Sequence, residues 1–501
     1  MLYKNIIANF ISRFWSVLSN FLFVPLYIRF LGFESYSLIS FTLVIAGVMA
    51  ILDAGLTATL SREFAIKSTT NSDKARTLST LEACYLILAV LIVVIIFLFA
   101  HNIADKWLKL DHIDAEQVLF YLKIIGVGVA FQLLANFYIG GLLGLEKQVE
   151  ANLYQMVWGI VRNGLVIVPL IFYPSLSLFF LWQTISTILL VLVLRISLAK
   201  KLHENIRHIK LPKIEKDILV RVSKFAGGML LISIVTGVNT QMDKIAISKL
   251  LSIDQLGYYT LAISLAQGMV ILVNPVATAI LPRFTALYSE QRIDEVEKLF
   301  HKTFLLTSIL VFSVAANLSL NAKDILWIWT GNMKLAESAY IYTPLLTIGM
   351  TMLSIVVLPY NIAIANGYTK INNYLGVISL IITIPGYWFM ISRYGALGAA
   401  ITWGTVQTVV TLIFLHLINK RYFSTKTTFQ IFLTEILKPV VIAAIIAFAF
   451  TQMTALKTSR IGQLMWIGLA TLTTLGITYR LLLSKAELGD IFSFVNFKKN
   501  K

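Results

Sequence analysis

One arginine lies within a long apolar stretch. Arg162 falls near the middle of QMVWGIVRNGLVIVP, residues 155–169, which contains no other charged residue. If this stretch crosses a bilayer as a helix, a charge at that depth costs on the order of 3 kcal/mol and usually marks a functional path. A guanidinium offers parallel donors that match phosphate oxygens. Arg162 is therefore predicted to contact an anionic substrate, with a structural ion pair to Asp53 or Asp243 as the alternative.

Two other segments carry polar residues at helical spacing. One set is Asn9, Arg13, Ser16 and Asn20, and the other is Ser233, Thr236, Thr240 and Asp243, followed by Lys244. Each set would occupy one face of a helix. Hydroxyl and amide groups often serve only to join helices, but each stripe also contains a charge. Both stripes are therefore predicted to line an aqueous cavity. The residues assigned to the cavity are Arg162, Arg13, Asn20, Asn239 and Lys244.

Two aspartates are candidates for ion coupling. Asp53 lies in ILDAGLTATLSREFA, residues 51–65, toward the end of an apolar run. It is expected to carry protons or sodium ions, or to be a structural partner of Arg13 or Arg62. Asp243 is either a second coupling carboxylate or one half of a self-neutralising pair with Lys244.

Two arginines fall at the predicted membrane edge. Arg62 and Arg283 occupy matching places at the ends of two apolar stretches. Anchoring to lipid headgroups is one explanation. A gate or phosphate clamp at the cavity rim is the other.

Composition indicates the elements that must position these residues. Hydrophobic residues make up 58% of the chain and charged residues 13%, which is too apolar for a soluble protein of 501 residues. Long uncharged stretches without two-residue alternation predict transmembrane helices. The first stretch continues without a small-residue cleavage site, so it is expected to be a span rather than a removable signal peptide.

The chain is predicted to be an all-α polytopic membrane protein with about fourteen transmembrane helices, judged against the roughly 20 residues that a span requires. The approximate limits of these spans are 11–30, 38–59, 81–100, 118–143, 153–173, 176–197, 225–248, 256–281, 303–322, 340–364, 374–392, 396–418, 439–456 and 462–483.

Lysine and arginine predict the orientation. With the N-terminus in the cytoplasm, the inward loops hold most of the 42 Lys and Arg, which is the positive-inside pattern. The net charge of +17 is thus explained by loops that face anionic lipid, and nucleic acid is not an expected partner. The domains predicted from this topology are a six-helix lobe (1–198), a basic cytoplasmic linker (199–224), a second six-helix lobe (225–418) and a C-terminal helix pair with a cytoplasmic tail (419–501).

A weak internal repeat relates the two lobes. ATLSREFA (58–65) resembles AILPRFTA (279–286), and FLGFESYSL (30–38) resembles LLSIDQLGYY (250–259). Both offsets are about 220 residues, and six spans per repeat keep the two halves parallel. The lobes are therefore predicted to be related by a pseudo-twofold axis along the membrane normal, as in some transporters.

Several chemistries are not predicted. There is no Walker A pattern, so the chain is not expected to hydrolyse ATP. The six histidines are expected in loops or at helix ends, so neither a metal site nor a buried histidine relay is predicted. Cys84 is the single cysteine, which excludes an internal disulfide. Arg195 is expected to snorkel from a helix end. No cofactor is expected beyond a coupling ion, and the chain is predicted to be a transporter rather than an enzyme.

Three segments carry a family resemblance. LDAGL with the following Arg62 and FA (52–65), DKIAISKLLSIDQLGYYTLAISLAQ (243–267) and PRF (282–284) resemble the polysaccharide-transporter branch of the MOP superfamily, which includes Wzx-type O-antigen and capsule repeat-unit flippases. The resemblance covers the whole chain in span number and order.

This resemblance implies a bundle of two six-helix lobes that alternates a central cavity between the two sides of the bacterial cytoplasmic membrane. Both termini would be cytoplasmic. The implied substrate is an oligosaccharide repeat unit on undecaprenyl diphosphate, and the implied partners are membrane lipids and the polysaccharide polymerase machinery. A monomer is expected, since one chain would contain the cavity.

Three other functions compete with the flippase. A multidrug or cation antiporter of the same superfamily needs acidic groups for cationic substrates, whereas the deepest charge here is basic. A membrane-embedded glycosyl polymerase should have a larger outer loop with paired acid and base groups. A scaffold that transports nothing would not need costly charges within the membrane.

Overall fold

The structure is a computed structural model that describes residues 15, 18–19, 21–53, 55–202, 212–368, 370–453 and 459–483. Within these ranges the chain forms helices and no strands. Twelve helical segments there are long and apolar enough to cross a membrane. The predicted all-α, polytopic fold is confirmed, whereas the count of fourteen spans is not confirmed.

The chain divides into two compact units, Met1–Gly257 and Tyr258–Lys501. In the first unit the helices are α1 (Phe21–Leu31), α2 (Phe33–Met49), α3 (Leu56–Ala65), α4 (Asn71–Asn102), α5 (Ala115–Gly144), α6 (Gln148–Gly159), α7 (Ile167–Phe172), α8 (Leu176–Leu202) and α9 (Lys216–Leu250). Next comes α10 (Ile253–Ala266), which begins in the first unit and ends in the second. In the second unit they are α11 (Gly268–Ser289), α12 (Ile293–Leu320), α13 (Ala322–Thr330), α14 (Met333–Ala339), α15 (Thr343–Ile355), α16 (Val357–Ala365), α17 (Lys370–Tyr394), α18 (Ala396–Tyr422), α19 (Thr428–Ile431), α20 (Lys438–Thr451) and α21 (Arg460–Leu482).

Two predicted spans are absent from the set of twelve apolar ones. The described part of the first is the short helix α1. The seventh is α9, whose 35 residues would extend about 52 Å at 1.5 Å per residue. Length is therefore not what excludes α9. Its polar residues lower its hydropathy, and they include the second predicted stripe.

Several predicted spans are interrupted. The second is α2, a 3-10 turn (Ala50–Asp53) and then α3. The fifth is α6, a π-helical turn (Ile160–Gly164) and then α7. Such breaks leave backbone groups without their regular helical partners, and within a membrane they are tolerated where protein or water can satisfy those groups. The breaks fall at Asp53 and at Arg162, two of the predicted site residues.

In the first unit, α5 packs against α3, α4 and α8. Glycines allow the close approach of α3. A Cβ at Gly140 would lie 2.5 Å from Cγ2 of Thr57, and one at Gly144 would lie 2.4 Å from the carbonyl oxygen of Ser61. Small residues that permit such contacts are typical of helix packing in membranes, where van der Waals contact replaces the hydrophobic effect.

Helix α9 is fixed to the first unit near both of its ends. At its start, Arg76 of α4 forms ion pairs with Glu215 and Asp217. Near its end, Nε1 of Trp107 donates to Oγ of Ser248 over 3.1 Å. The predicted linker 199–224 is therefore partly helical, because α8 runs into it and α9 starts within it. The lobe boundaries predicted from the sequence remain a prediction, since the compact units follow a different division.

In the second unit, α12 packs against α15, α20 and α21, and α18 packs against α15 and α17. The C-terminal helices are thus part of this unit. Asn317 of α12 donates to Thr474 of α21 over 3.1 Å. A buried apolar core that includes Phe284, Phe300 and Phe304 lies among the helices of this unit.

Candidate substrate-binding site

Arg162 lies in the π-helical turn Ile160–Gly164. Its guanidinium carbon is 4.8 Å from the ring centroid of Trp158. Its Nη1 donates to Oε1 of Gln132 over 3.4 Å, while its Nε is buried and has no hydrogen-bond partner. In the described part of the chain no carboxylate forms an ion pair with Arg162, so the predicted pairs with Asp53 and Asp243 are not observed there.

The π-helical turn is held by side chains from other helices. Trp182 and Gln183 of α8 donate to the carbonyl oxygens of Val161 and Arg162, at 2.9 and 3.0 Å. Tyr27 of α1 donates to the carbonyl of Asn163 at 2.6 Å. These bonds satisfy carbonyls that the widened turn frees. Such π-turns occur often at functional sites, and this one fixes the backbone that carries Arg162.

Gln132 extends the polar contacts of Arg162 along α5. Its Nε2 donates to Oδ1 of Asn136 over 3.2 Å, and Asn136 is exposed. The two residues stand four apart, so they share one helix face. The sequence analysis did not single out this pair. The signal was present, since two amides interrupt an otherwise apolar stretch at helical spacing.

The residues of the second polar stripe lie on the single helix α9, and its two charged side chains pair with each other. Nζ of Lys244 lies 3.2 Å from Oδ1 of Asp243 and donates to the carbonyl of Thr240 over 2.8 Å. Both side chains are largely buried, with 13% and 5% of their surface exposed. Asn239 lies on the same helix and is half-buried. The self-neutralising arrangement is therefore present, and Lys244 is not an unpaired cation.

Helix α9 packs closely against the interrupted second span. A Cβ at Gly47 would come within 2.5 Å of the Gln241 side chain, and one at Gly237 within 2.3 Å of Ile51. Gly55 has a φ of 70° and lies against Met229. A side chain at residue 55 would be strained by both its backbone conformation and this contact.

Asp53 lies at the end of the 3-10 turn. Its Oδ1 accepts from Oγ1 of Thr57 at 2.7 Å and from the Thr57 amide at 3.3 Å. Oγ1 of Thr57 is also 2.5 Å from the Tyr85 hydroxyl of α4. No lysine or arginine among the described residues forms an ion pair with Asp53. The alternative in which Arg62 is its partner is therefore not observed, and Asp53 instead supports the start of α3.

The two predicted rim arginines differ in their surroundings. Arg62 contacts Glu63 at 3.5 Å and lies 4.8 Å from the ring centroid of Phe225. Glu63 is buried and has a second cation, Arg221, at 3.4 Å. Arg283 is exposed and forms no ion pair with any described residue. Arg13 and Asn20, the remaining predicted cavity residues, lie outside the described residues.

Two ionic networks were not predicted. Arg195 does not snorkel: its Nε contacts Oε1 of buried Glu82 at 2.5 Å, and the same oxygen accepts from the Tyr138 hydroxyl. His301 is not at a helix end, because it lies buried within α12 with Nδ1 2.9 Å from Glu435. Both partners are more than 100 residues away in sequence, so spacing could not reveal them.

These features define a class of protein: a polytopic helical membrane protein with interrupted spans, a polar helix and a partly buried arginine that has no carboxylate partner among the described residues. Comparisons with known proteins refine this class. The family model described as "Polysaccharide biosynthesis protein" matches residues 2–288, and a MatE model matches residues 229–389. The chain belongs to the family described as polysaccharide biosynthesis protein, as the resemblance of its motifs predicted.

Individual relatives agree with this assignment. A Shigella flexneri protein described as "Putative O-antigen transporter" is 21% identical over 393 residues, which cover 78% of this chain and 91% of that protein. The structure of the lipid II flippase MurJ in an inward closed conformation matches with a TM-score of 0.74 at 16% identity, over 96% of this chain and 100% of that one. An inward-facing multidrug resistance MATE transporter matches with a TM-score of 0.64 at 15% identity, over 81% of this chain and 94% of that one.

Proposed function

We propose that this protein is a flippase that moves undecaprenyl-diphosphate-linked oligosaccharide repeat units across the bacterial cytoplasmic membrane by alternating access. The observation that carries the proposal is Arg162. A cation within a span must meet a counter-charge, water or a ligand. No described carboxylate pairs with Arg162, and its buried Nε has no hydrogen-bond partner.

The diphosphate is the part of the substrate that Arg162 would recognise. Nε and an Nη of one guanidinium form a fork that matches two oxygens of a phosphate, and such bidentate charge-assisted bonds are stronger than neutral ones. The ring of Trp158 and the amide of Gln132 orient the group while leaving Nε unused. The sugars would then contact neutral amides such as Asn136, and the prenyl chain would stay in lipid.

Ion coupling is a second part of the proposal. Asp53 adjoins a break in a span and has no described basic partner, so its carboxylate is the better candidate for proton or sodium binding. Asp243 already has Lys244 at 3.2 Å, which makes it the weaker candidate. No cofactor is invoked. Arg283, which is exposed, is the better of the two rim candidates for meeting headgroup phosphates.

An antiporter for cationic drugs is the second candidate, because the MATE structures share the fold. It would need an unpaired acidic group to bind its substrate, and Asp53 could supply one. The basic charge at Arg162 favours the flippase. We further propose that the protein acts as a monomer with both termini in the cytoplasm and delivers its product to the polymerase machinery.

The test begins with a deletion strain in which undecaprenyl-linked oligosaccharide and surface polysaccharide are measured by mass spectrometry. The proposal expects complete repeat units to accumulate and surface polymer to disappear. Plasmids would then supply the wild type, Arg162→Gln, Arg162→Lys, or the control Arg393→Gln at equal protein levels. Arg393 also stacks on an aromatic ring, 4.3 Å from the centroid of Phe389, but it is exposed at a helix end.

Arg162→Gln should reduce polymer by about tenfold or more, since one charge-assisted contact with a phosphate is lost. Arg162→Lys keeps the charge but lacks the two parallel donors of the guanidinium. The amount of surface polymer in this variant should lie between that of Arg162→Gln and that of the wild type. Full restoration by Arg162→Gln would remove the assigned role. Unchanged lipid intermediates in the deletion strain, with sensitivity to cationic drugs, would instead favour the antiporter.

A further inference from the structure

A polar cavity lies within the second unit. Its volume is about 530 Å³, within the roughly 300–1,000 Å³ of typical ligand pockets. Its walls come from the ends of four helices, α11, α12, α16 and α18. The lining residues are Thr285, Tyr288, Ser289, Gln291, Ile293, Ala365, Asn366, Arg421 and Tyr422. The cavity lies outside the first unit and contains none of the residues assigned to substrate binding.

The cavity has one cation and no carboxylate among its lining residues. Arg421 is exposed, and its guanidinium carbon lies 4.2 Å from the ring centroid of Tyr368 and 5.6 Å from that of Tyr422. Stacking of this kind orients a guanidinium plane while its N–H groups remain available as donors. Of the acids adjacent in sequence to lining residues, Glu290 pairs with Arg292, and Asp294 is exposed and does not line the cavity. Arg421 is therefore the charged residue that lines the cavity.

The other polar groups differ from Arg421, because the hydroxyls of Thr285 and Ser289 and the amide of Asn366 already donate to carbonyls of the helix turns that precede them. Oη of Tyr288 is buried and forms no hydrogen bond with a described residue that meets the usual distance and angle limits. The side chain of Asn366 lies close to it. Gln291 is exposed and has a φ of 58°, a conformation that side-chain-bearing residues seldom adopt. Because this conformation is unfavourable, the turn around Gln291 is a specific feature of the wall.

The floor of the cavity is apolar and firmly packed. Tyr288, Ala365 and Tyr422 are partly buried and pack against the apolar core of the unit. The rings of Tyr288 and Tyr422 meet edge to face with centroids 6.3 Å apart. A ligand here would thus meet the Arg421 guanidinium and an aromatic surface, which suits a group that is anionic at one end and apolar at the other.

Position in the chain gives the source of such a ligand. Thr285 to Ser289, Ala365 and Tyr422 each fall at the end of a candidate membrane span, and Ile293 begins another. Span ends that share one cavity lie on one side of the bilayer, at headgroup level, where basic side chains attract anionic lipid.

We propose that this cavity binds the phosphate of a membrane lipid, with Arg421 as its main contact and Tyr288 as a second donor. The lipid is either a bilayer glycerophospholipid or a prenyl phosphate, since both offer the same phosphate on an apolar tail. The site is separate from Arg162 and stands whether or not the protein is a flippase.

Native mass spectrometry of the intact purified protein provides the test. The protein is titrated with phosphatidylglycerol or with phosphatidylcholine of the same acyl chains. We expect tighter retention of phosphatidylglycerol, a loss of about tenfold in its affinity in Arg421→Gln, and a smaller loss in Tyr288→Phe. Lys420→Gln is the matched control, because it removes an adjacent exposed charge that does not line the cavity, and it should change affinity less than twofold.

Competition distinguishes the sources. Displacement of phosphatidylglycerol by equimolar undecaprenyl phosphate identifies the prenyl lipid, and its failure identifies the glycerophospholipid. Equal affinity of the wild type and Arg421→Gln, or equal retention of the two lipids by the wild type, would overturn the proposal. So would displacement by equimolar glycerol 3-phosphate, because the ligand would then not need a lipid tail. Arg421→Lys and thermal unfolding of each variant separate a lost contact from a misfolded protein.

Discussion

Two arginines of the first unit lie in neighbouring helical segments and have opposite surroundings. Arg195 of α8 contacts the buried carboxylate of Glu82, which also accepts from Tyr138. Arg162, in the π-helical turn, has a ring and an amide beside it but no described carboxylate. Both are charges within predicted spans, with Arg162 expected near the middle of its span and Arg195 expected to snorkel from a helix end. We infer from this difference that the neutralised Arg195 holds helices together, and we propose that Arg162, which has no described counter-charge, is available to a ligand.

The largest effect expected from this comparison is on stability, at the paired arginine. Glu82→Leu would leave Arg195 without its buried partner, and breaking such a pair typically costs about 3 kcal/mol or more. The free energy of unfolding in detergent should fall by about 3 kcal/mol. The double variant Glu82→Leu with Arg195→Met removes both charges and should recover most of the loss. Equal stability of Glu82→Leu and the wild type would show that Arg195 does not depend on this pair.

The unpaired arginine should respond in the opposite direction. Arg162→Met removes a desolvated cation that has no described carboxylate partner, so the free energy of unfolding should stay the same or rise by up to about 1 kcal/mol. Transport should fall by about tenfold. Parallel measurements on Arg195→Met provide the contrast, because that variant strands Glu82 and should lose stability. A marked loss of stability in Arg162→Met would make Arg162 a structural residue as well.

The helical fold could be predicted because lipid leaves the backbone no other partners. Stretches such as Leu176–Leu202 are apolar for long enough to span, and they do form uninterrupted helices. The interruptions at Asp53 and Arg162 were not predicted. A π-helical turn differs from an α-helical one only in that each hydrogen bond reaches one residue further along the chain. The turn at Arg162 is held by Trp182 and Gln183 of another helix, so no local sequence pattern predicts it.

Site residues were predictable only where local spacing carries the information. Asp243 and Lys244 are adjacent in sequence, and their ion pair is one of the two alternatives predicted for Asp243. Glu82 and Arg195 are 113 residues apart in sequence. Glu435 and His301 are 134 residues apart. With a single sequence, nothing associates such distant partners. The free-energy cost of a charge within a membrane therefore identifies which charged residues need a partner. It does not show which of them already have one within the protein.

The adjacent pair on α9 provides an intermediate case. Asp243→Asn keeps the shape of the side chain and removes the charge that faces Lys244, 3.2 Å away. The ammonium retains the Thr240 carbonyl, so the free energy of unfolding should fall by only about 1 kcal/mol. A double-mutant cycle with Lys244→Met would measure the coupling directly. A coupling near zero would return Lys244 to the set of cations that are available to substrate.

The smallest effect is expected at Arg62, which is paired but exposed. Half of its side chain, 52%, is accessible, and its contact with Glu63 is 3.5 Å long. Arg62→Gln should lower the free energy of unfolding by less than about 0.5 kcal/mol, because Arg221 still faces the buried carboxylate. Arg62→Gln combined with Arg221→Gln should cost more than the sum of the single changes, since Glu63 would then be buried without a cation. Transport by Arg62→Gln should stay within twofold of the wild type if the residue only holds this edge of the unit. A tenfold loss of transport at unchanged stability would instead assign Arg62 to the gate and place it with Arg162 rather than with Arg195.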